Sequence, residues 1–590
     1  MDSKTFYASR THNSQALIPE QPQDSDADLS SDDDEIEDPD YHPTQEEDET
    51  SFDSMFEEEE EEETPNTSSS SKPPPRKKRR KGKNTLKRIS VRELDETLEQ
   101  STPQDPKKAT RRIWKYEDID KFHVPASVFE APDAVKTPLQ HFKSLFTDEM
   151  IQHIAHHTNL YSAQELGDPI NCSPEEIEIF LAMLLVMGHV FTFPAMEDYW
   201  HHDSRYNLIA DIMSRKRFKL LRRFIHFNDN YQFNNSPDRF YKICPLFEIL
   251  QKQCLLISSS HKHSVDEVMV AFKGTRAGTL RQYIANKPDK WGFKLFCHAS
   301  SSGITHDLLL YQGASTFFNV PLSEEEQKLP LGSKVVMTLS KTITEPNLSV
   351  VFCDNYFTSF DLIQNLHANL GVKCIGTVRS NRMGQASLMS DKLMKKGHGA
   401  FDFRSSEGVL AVKWFDNKCV NILSNACRIM PTGSVRRWSK DTRTKVDVPC
   451  PSLIPAYNQH MGGIDLSDML VHMYKTPAKS RRWYFPLFGY ILDLCISNAW
   501  LIHKRDCALL NEKPLCLKRF RLAVKRYTPR PTQPQPDVRY DNFGHLPLHC
   551  YKRGRCNLCP KGVSWWKCQK CNVFLCLNAH QQCFVAYHQK

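Results

Sequence analysis

A mixed α/β core set between two helical stretches and followed by a small cysteine-rich module is the architecture this sequence predicts. Three observations predict it. Short apolar runs ending in acids, such as Leu348 to Phe357, alternate with helical patterns through the middle of the chain. Helical periodicity dominates the stretches on either side of that middle. Seven of the 19 cysteines fall in the last 41 residues.

The bulk numbers narrow the function. A chain of 590 residues with 40% hydrophobic content has room for several domains. Its formal charge of +6 hides an asymmetry: residues 1–65 hold 24 acids against Lys4 and Arg10, which leaves +28 on the rest. That excess suits a polyanionic partner, nucleic acid first. No basic n-region with an apolar core opens the chain, so a secretory signal is not expected. The most apolar segment, Ile177 to Phe193, is interrupted by Glu178 and His189 and reads as a core helix, so no membrane partner is expected. Twelve cysteines scattered without a pairing pattern point to a reducing compartment.

Residues 1–130 are predicted to be a disordered acidic tail, because Asp32 to Asp40 and Glu57 to Glu63 repel themselves and few apolar residues offset chain entropy. Ser30 and Ser31 ahead of Asp32 suit an acid-directed kinase, or simply belong to a solvated tail. The basic block from Lys72 to Lys83 reads as a nuclear localisation signal, which predicts a nuclear protein carried by an import receptor, or as a nonspecific nucleic-acid arm. Residues 131–263 are predicted helical, with a capping box at Ser173-Pro174-Glu175-Glu176. The stretch Ser214 to Ile225 puts Phe218, Leu221 and Ile225 on one helical face. Its cations, Arg215, Lys216, Lys219 and Arg222 among them, suit DNA phosphates and equally an ordinary solvated face.

From residue 264 the pattern changes to strands at Val265 to Phe272, Lys294 to Ala299 and Leu308 to Gln312. A helix at Ser333 to Thr344, a strand ending at Asp354, a helix at Ser359 to Leu370 and a strand at Val372 to Val378 follow. That order is the order of an RNase H-like core over 264–380. Residues 381–435 read as an insertion, since Phe401 to Leu423 resembles short strands. The chain returns to the core over 436–456, helices resume over 457–530, 531–549 is a linker, and 550–590 is the cysteine-rich domain.

Asp266 lies on a strand, Asp354 ends one, and Asp465 and Asp468 are three apart on one helical face. A single acid after a strand is commonplace, whereas three that meet suit a two-metal site. Such a site holds Mg²⁺ or Mn²⁺ through carboxylates and cleaves a phosphodiester between the ions. A helix start would favour Asp465 even without metal, through the helix dipole.

The tail of the chain carries ligand spacing of a different kind: Cys556-x₂-Cys559-x₈-Cys568-x₂-Cys571-x₄-Cys576-x₃-His580-x₂-Cys583-x₄-His588. Eight such ligands suit two structural Zn²⁺ ions in a cross-brace. The alternation predicts Cys556, Cys559, Cys576 and His580 at one ion and Cys568, Cys571, Cys583 and His588 at the other. Cys550, His545 and His549 stand as substitutes for His580. Trp565, Trp566, Lys552, Arg553 and Arg555 are compatible with DNA contact, although the tryptophans equally suit packing of a small domain.

Several blocks together resemble the piggyBac transposases. They are Asp266-Glu267-x-Met269-Val270-x-Phe272-Lys273-Gly274 and Tyr283-Ile284-x-x-Lys287-Pro288-x-Lys290-x-Gly292. Asp354-Asn355-Tyr356-Phe357-Thr358-Ser359, Ile375-Gly376-Thr377-Val378-Arg379 and Tyr457-Asn458-x-x-Met461-Gly462-Gly463-Ile464-Asp465-x-x-Asp468 follow in the family's order. Arg482-Trp483 and Asn498-Ala499-Trp500 close the series. Ile464 and Thr275 depart from the family's usual Val and Arg. The resemblance implies a DDD transposase in which Asp266, Asp354 and Asp465 are catalytic metal ligands and Asp468 a fourth important acid. It implies excision through hairpin ends, integration at TTAA and a homodimer, with helical regions for dimerisation and DNA binding flanking the core. The cysteine-rich module would recognise transposon-end DNA. Lys287, Lys290, Arg481 and Arg482, inside or beside these blocks, join the expected DNA contacts. The alternative is a domesticated, catalytically silent DNA- or chromatin-binding protein on the same scaffold.

Overall fold

Residues 112–526 and 539–589 are described in a computed structural model, apart from 189–192, 194, 234–235, 286, 396, 440–442, 561 and 579. The acidic tail through residue 111, its serines, the basic block at 72–83, residues 527–530 and residues 531–538 of the expected linker lie outside the described residues.

Apolar side chains on both faces of β1 (Lys262–Ala271) mark it as a central strand, and it holds that place. β1 pairs antiparallel with β3 (Trp291–Ser300) on one side and parallel with β5 (Val350–Cys353) on the other. β2 (Arg281–Tyr283) and β4 (Thr305–Leu310) share the far edge of β3, and β6 (Lys373–Thr377) lies parallel to β5. The expected insertion does contain short strands. Its strands β7 (Phe401–Ser406), β8 (Val409–Phe415) and β9 (Cys419–Ser424) extend the same sheet, because β9 pairs antiparallel with β6. The sheet order is β2-β3-β1-β5-β6-β9-β8-β7, with β4 also on β3. The stretch expected to rejoin the core opens as a two-stranded ribbon, β10 (Gly433–Ser439) and β11 (Thr444–Cys450), whose Val448 and Cys450 are buried in one cluster with Leu410 and Val412 of the sheet.

Helices cover both faces of the sheet. Val265, Phe296, Val351 and Cys353 point toward α6 (Leu331–Ser340) and α7 (Phe360–Asn365), sharing one apolar core with Val335, Val336 and Leu362. On the opposite face Val268, Val270, Leu295 and Cys297 meet the helical stretches. These comprise α1 (Pro138–Lys143), α2 (Asp148–Leu166), α3 (Pro174–Met187), α4 (Arg215–Phe224) and α5 (Cys244–Leu255) before the sheet. After it come α8 (Leu453–His460), α9 (Gly463–Met473), α10 (Tyr484–Leu509) and α11 (Leu517–Arg526). Helix α10, not the Ile177 to Phe193 stretch, is the one long and apolar enough to cross a bilayer among the described residues; 89% of that apolar window is buried in protein. An all-round apolar helix of this kind is the axle of a core.

Two local expectations change. Ser173 accepts from the Glu176 backbone N–H as predicted, but the Glu176 carboxylate does not return to the cap. It takes a bidentate pair from Arg217 of α4 at 2.5 and 2.6 Å. The second change is at residues 113–130, assigned to the tail by sequence. They run along the sheet: Trp114 Nε1 donates to Gly384 O at 3.1 Å, and Lys115 exchanges backbone hydrogen bonds with Ser405 at 2.9 and 2.8 Å. Asp118 accepts from the Ile429 and Met430 backbone at 3.0 to 3.2 Å. The composition that favours disorder ends well before this stretch, whose Trp114, Ile119, Phe122 and Val124 supply apolar surface to two of the cores.

Candidate active site and cysteine clusters

Parallel pairing brings the first two acids together. In the register of β1 and β5, Ser264 lies opposite Phe352 and Val265 opposite Cys353, so one further residue places Asp266 beside Asp354. Asp354 ends its strand in a turn that its own side chain closes, with Tyr356 N–H donating to Oδ1 at 2.8 Å. The carboxylate is thereby oriented before anything binds. Burial pushes both acids above the usual carboxylate range, and Glu267 adds to the rise in each.

The third and fourth acids arrive on α9, whose start packs against β1 and β3. Gly463 makes that approach possible: a Cβ there would stand 2.5 Å from both Ser264 Oγ and Ser300 O. Replacing Gly463 with Val is therefore expected to destabilise the fold by about 1–3 kcal/mol through overpacking. Thermal unfolding of the purified chain checks this; an unchanged melting temperature would refute the close-contact account. Asp465 is exposed in the first turn of α9 and Asp468 lies one turn on, half-buried. His472 Nδ1 is 2.9 Å from the Asp468 carbonyl oxygen and 3.2 Å from its carboxylate. Only the first contact closes a hydrogen bond, which leaves Asp468 Oδ1 buried without one. The Asp468 contact raises His472 to about 9, and Asp289 lies 3.3 Å from its other nitrogen.

Two lysines sit among these acids. Lys287 Nζ donates to Glu267 O at 3.0 Å and lies 3.9 Å from the Glu267 carboxylate. Burial alone would lower its pKa, but Asp266, Glu267, Asp465 and Asp468 hold it raised. Lys287 was expected on DNA; it is a counter-ion of the acid cluster, because the loop after β2 folds back over β1. Lys294, buried nearby with its Nζ 4.6 Å from the Tyr356 ring centre, is lowered by burial.

The other expected DNA contacts divide in two. Arg482 is committed to structure: its guanidinium donates to Arg223 O and Ile225 O at 3.1 Å and also to Arg222 O, capping the carbonyl end of α4. Lys219 pairs with Glu197 at 2.6 Å, and Arg222 donates to Lys479 O at 2.7 Å. Arg215, Lys216, Lys290, Arg481, Lys552, Arg553 and Arg555 are exposed.

The cysteine-rich end forms two clusters whose ligand atoms lie within 4.8 Å of one another: Cys556, Cys559, Cys576 and Cys583, and His545, Cys568, Cys571 and His588. Alternation is kept, but Cys583 takes the place expected of His580, which is exposed, and His545 takes the place expected of Cys583. The reason is helical geometry. Cys583 and His588 are the ends of one short helix, α12 (Cys583–His588), and five residues rotate their side chains about 140° apart. They cannot share one ion. His545 Nδ1 lies 3.5 and 3.4 Å from the Cys568 and Cys571 sulfurs, and Asp541 holds its other nitrogen at 3.1 Å. His588 Nδ1 is committed to Phe584 O at 2.7 Å, leaving Nε2 buried without a hydrogen-bond partner. At Gly562 a Cβ would meet the Cys559 and Cys576 sulfurs at 2.4 and 2.6 Å, so the first cluster requires glycine.

Comparison with known proteins now bears on these features. A family profile described as Transposase IS4 matches residues 137–500, which include all four acids. Human PiggyBac transposable element-derived protein 2 is 30% identical over 474 residues, covering 77% of this chain and 76% of that protein. The chain belongs to the piggyBac transposase family. Human PiggyBac transposable element-derived protein 3 is 29% identical over 518 residues, covering 83% of this chain and 84% of that protein. The fold is similar to that in a cryo-EM structure of a piggyBac transposase synaptic complex with hairpin DNA, with a TM-score of 0.56 at 22% identity. That match covers 75% of this chain and 95% of the other. Sequence reasoning about this piggyBac-family chain missed Glu267 as part of the acid cluster. The available signal was its adjacency to Asp266 on a strand with both faces buried.

Proposed function

We propose that this chain is a metal-dependent DNA transposase that cuts and joins DNA at TTAA, with Asp266, Asp354 and Asp465 as the metal-holding catalytic acids and Asp468 supporting them. The observation that carries the reading is the β1–β5 register, which sets Asp266, midway along the central strand β1, beside Asp354 at the carboxyl end of the parallel strand β5. The strand order β3-β1-β5-β6, with α6 and α7 on one face, supports an RNase H-like core.

The donor set fits a hard divalent cation: acidic oxygens only, with Asp468 Oδ1 buried without a hydrogen bond and burial disfavouring uncompensated charge. Mg²⁺ or Mn²⁺ bound there supplies Lewis-acid stabilisation of the attacking and leaving oxygens of a phosphodiester. The chain's own residues do the positioning. The Asp354 carboxylate is aimed by its turn, Asp465 is set by the seating of α9, and Lys287 balances the acids between encounters with cation. Residues 131–263 and 457–530 serve as the DNA-binding and dimerisation region of a homodimer. The two cysteine clusters fit tetrahedral zinc, having four sulfur or imidazole donors each and an orphaned His588 nitrogen. The zinc-held module would recognise transposon ends. The composition of the basic block at 72–83 supports a nuclear location reached through an import receptor.

A plasmid excision assay in cells, using inverted repeats flanking related elements in the source genome, tests this. Excision that restores TTAA is the expected result. Specific binding to the same repeats with no excision would instead assign the alternative, a silent DNA-binding protein.

A further inference from the structure

The β10–β11 ribbon carries a surface that neither the acid site nor the cysteine clusters uses. Its two strands pair from Gly433 with Cys450 to Ser439 with Thr444. One face is built into the protein. Val435, Val446 and Val448 join the core formed with Leu410 and Val412. Trp414 Nε1 donates to Pro449 O at 2.9 Å, and Arg437 Nε donates to Asp416 at 2.8 Å, so the ribbon is braced at its base.

The other face presents Ser434, Arg436 and Trp438 on one strand and Lys445 and Asp447 on its partner, by strict alternation. Trp438 is 63% exposed and the Arg436 side chain 79% exposed. Lys445 stands directly across from Trp438, and Arg443 is exposed at the turn. Asp447 lies 3.9 Å from Arg436 and is the only acid facing this row among the described residues of the two strands. An exposed tryptophan flanked by cations does nothing for folding, whereas it suits a polyanion that also offers flat sugar and base surfaces. A two-stranded ribbon fits the width of the DNA major groove.

We propose that this ribbon is a duplex-DNA contact in which Arg436, Arg443 and Lys445 take backbone phosphates and Trp438 packs against sugar or base. It rests on the DNA-handling reading above but not on the acids, and it assigns the contact to residues that the sequence places in the core.

The test is fluorescence anisotropy of the full chain with a labelled duplex of arbitrary sequence over about 50 to 200 mM salt. Arg436→Ala with Lys445→Ala should weaken binding roughly tenfold and reduce the salt slope by about 2. Asp447→Lys should tighten binding and steepen the slope. Trp438→Ala should weaken binding with the slope kept, because stacking releases no counterions. Slopes matching wild type in both charge variants would overturn the proposal while leaving the DNA reading intact; a ribbon that instead binds an acidic protein gives that result. A wild-type chain that binds no duplex would overturn both.

Discussion

Replacing Asp354 with Asn is expected to lower strand cleavage by about a thousandfold or more, since metal-held charge supplies several kcal/mol to phosphodiester transition states. Duplex binding should stay near wild type. The substitution is informative because of the turn. Asn keeps a side-chain oxygen that can accept from the Tyr356 N–H, now at 2.8 Å, so the loop after β5 should hold its shape. What is lost is the negative charge beside Asp266. Burial and Glu267 already disfavour charge at this position, so removing one acid should not destabilise the apo chain and should raise its melting temperature slightly. Gel assays of cleavage on purified protein, with anisotropy on the same duplex, separate the two effects. Cleavage that survives the change would sink the assignment of Asp354 as a metal ligand. Loss of binding together with cleavage would mean that Asp354 acts on the fold.

How much of this was legible in the sequence depends on whether the cue is local. A strand run carrying Asp266 and one ending at Asp354 are local cues, and the helical spacing of Asp465 and Asp468 is another. The acids of β1 and β5 could therefore be read before the pairing of the strands was known. Pairing partners are not local. Nothing in Phe401 to Leu423 indicates that β9 will add to β6, so the sequence shows short strands there but not that they extend the main sheet. Cations are the least legible of all. Lys287, Arg482 and Arg215 look alike in sequence, yet one neutralises buried acids, one caps α4 and one is exposed. Which partner a cation finds is settled by tertiary packing, and a basic stretch is only a prior for DNA contact. Val435, Val446 and Val448 alternate among cations and turn residues, so the ribbon's apolar face is hidden within a polar composition.

The cysteine-rich end allows a sharper test, because two ligand assignments compete there. Purified wild-type chain is expected to hold two zinc ions. Replacing His545 with Ala should lose one of them, and replacing His580 with Ala should lose neither. The module's own apolar core comprises little beyond Val573, Leu575, Phe584 and Tyr587. So small a core cannot hold the fold alone, whereas structural zinc contributes on the order of 10 kcal/mol. Chelation should therefore expose residues 539–589 to protease while the sheet domain stays resistant. His545→Ala should do so in part, because the His545, Cys568, Cys571 and His588 cluster ties the segment before β12 (Pro547–Arg555) to β13 (Val563–Cys568) and α12. Cys583→Ser should release the other ion, because Cys583 shares its cluster with Cys556, Cys559 and Cys576. Zinc loss in His580→Ala, with His545→Ala unaffected, would restore the spacing-based assignment and overturn the helical argument that separates Cys583 from His588.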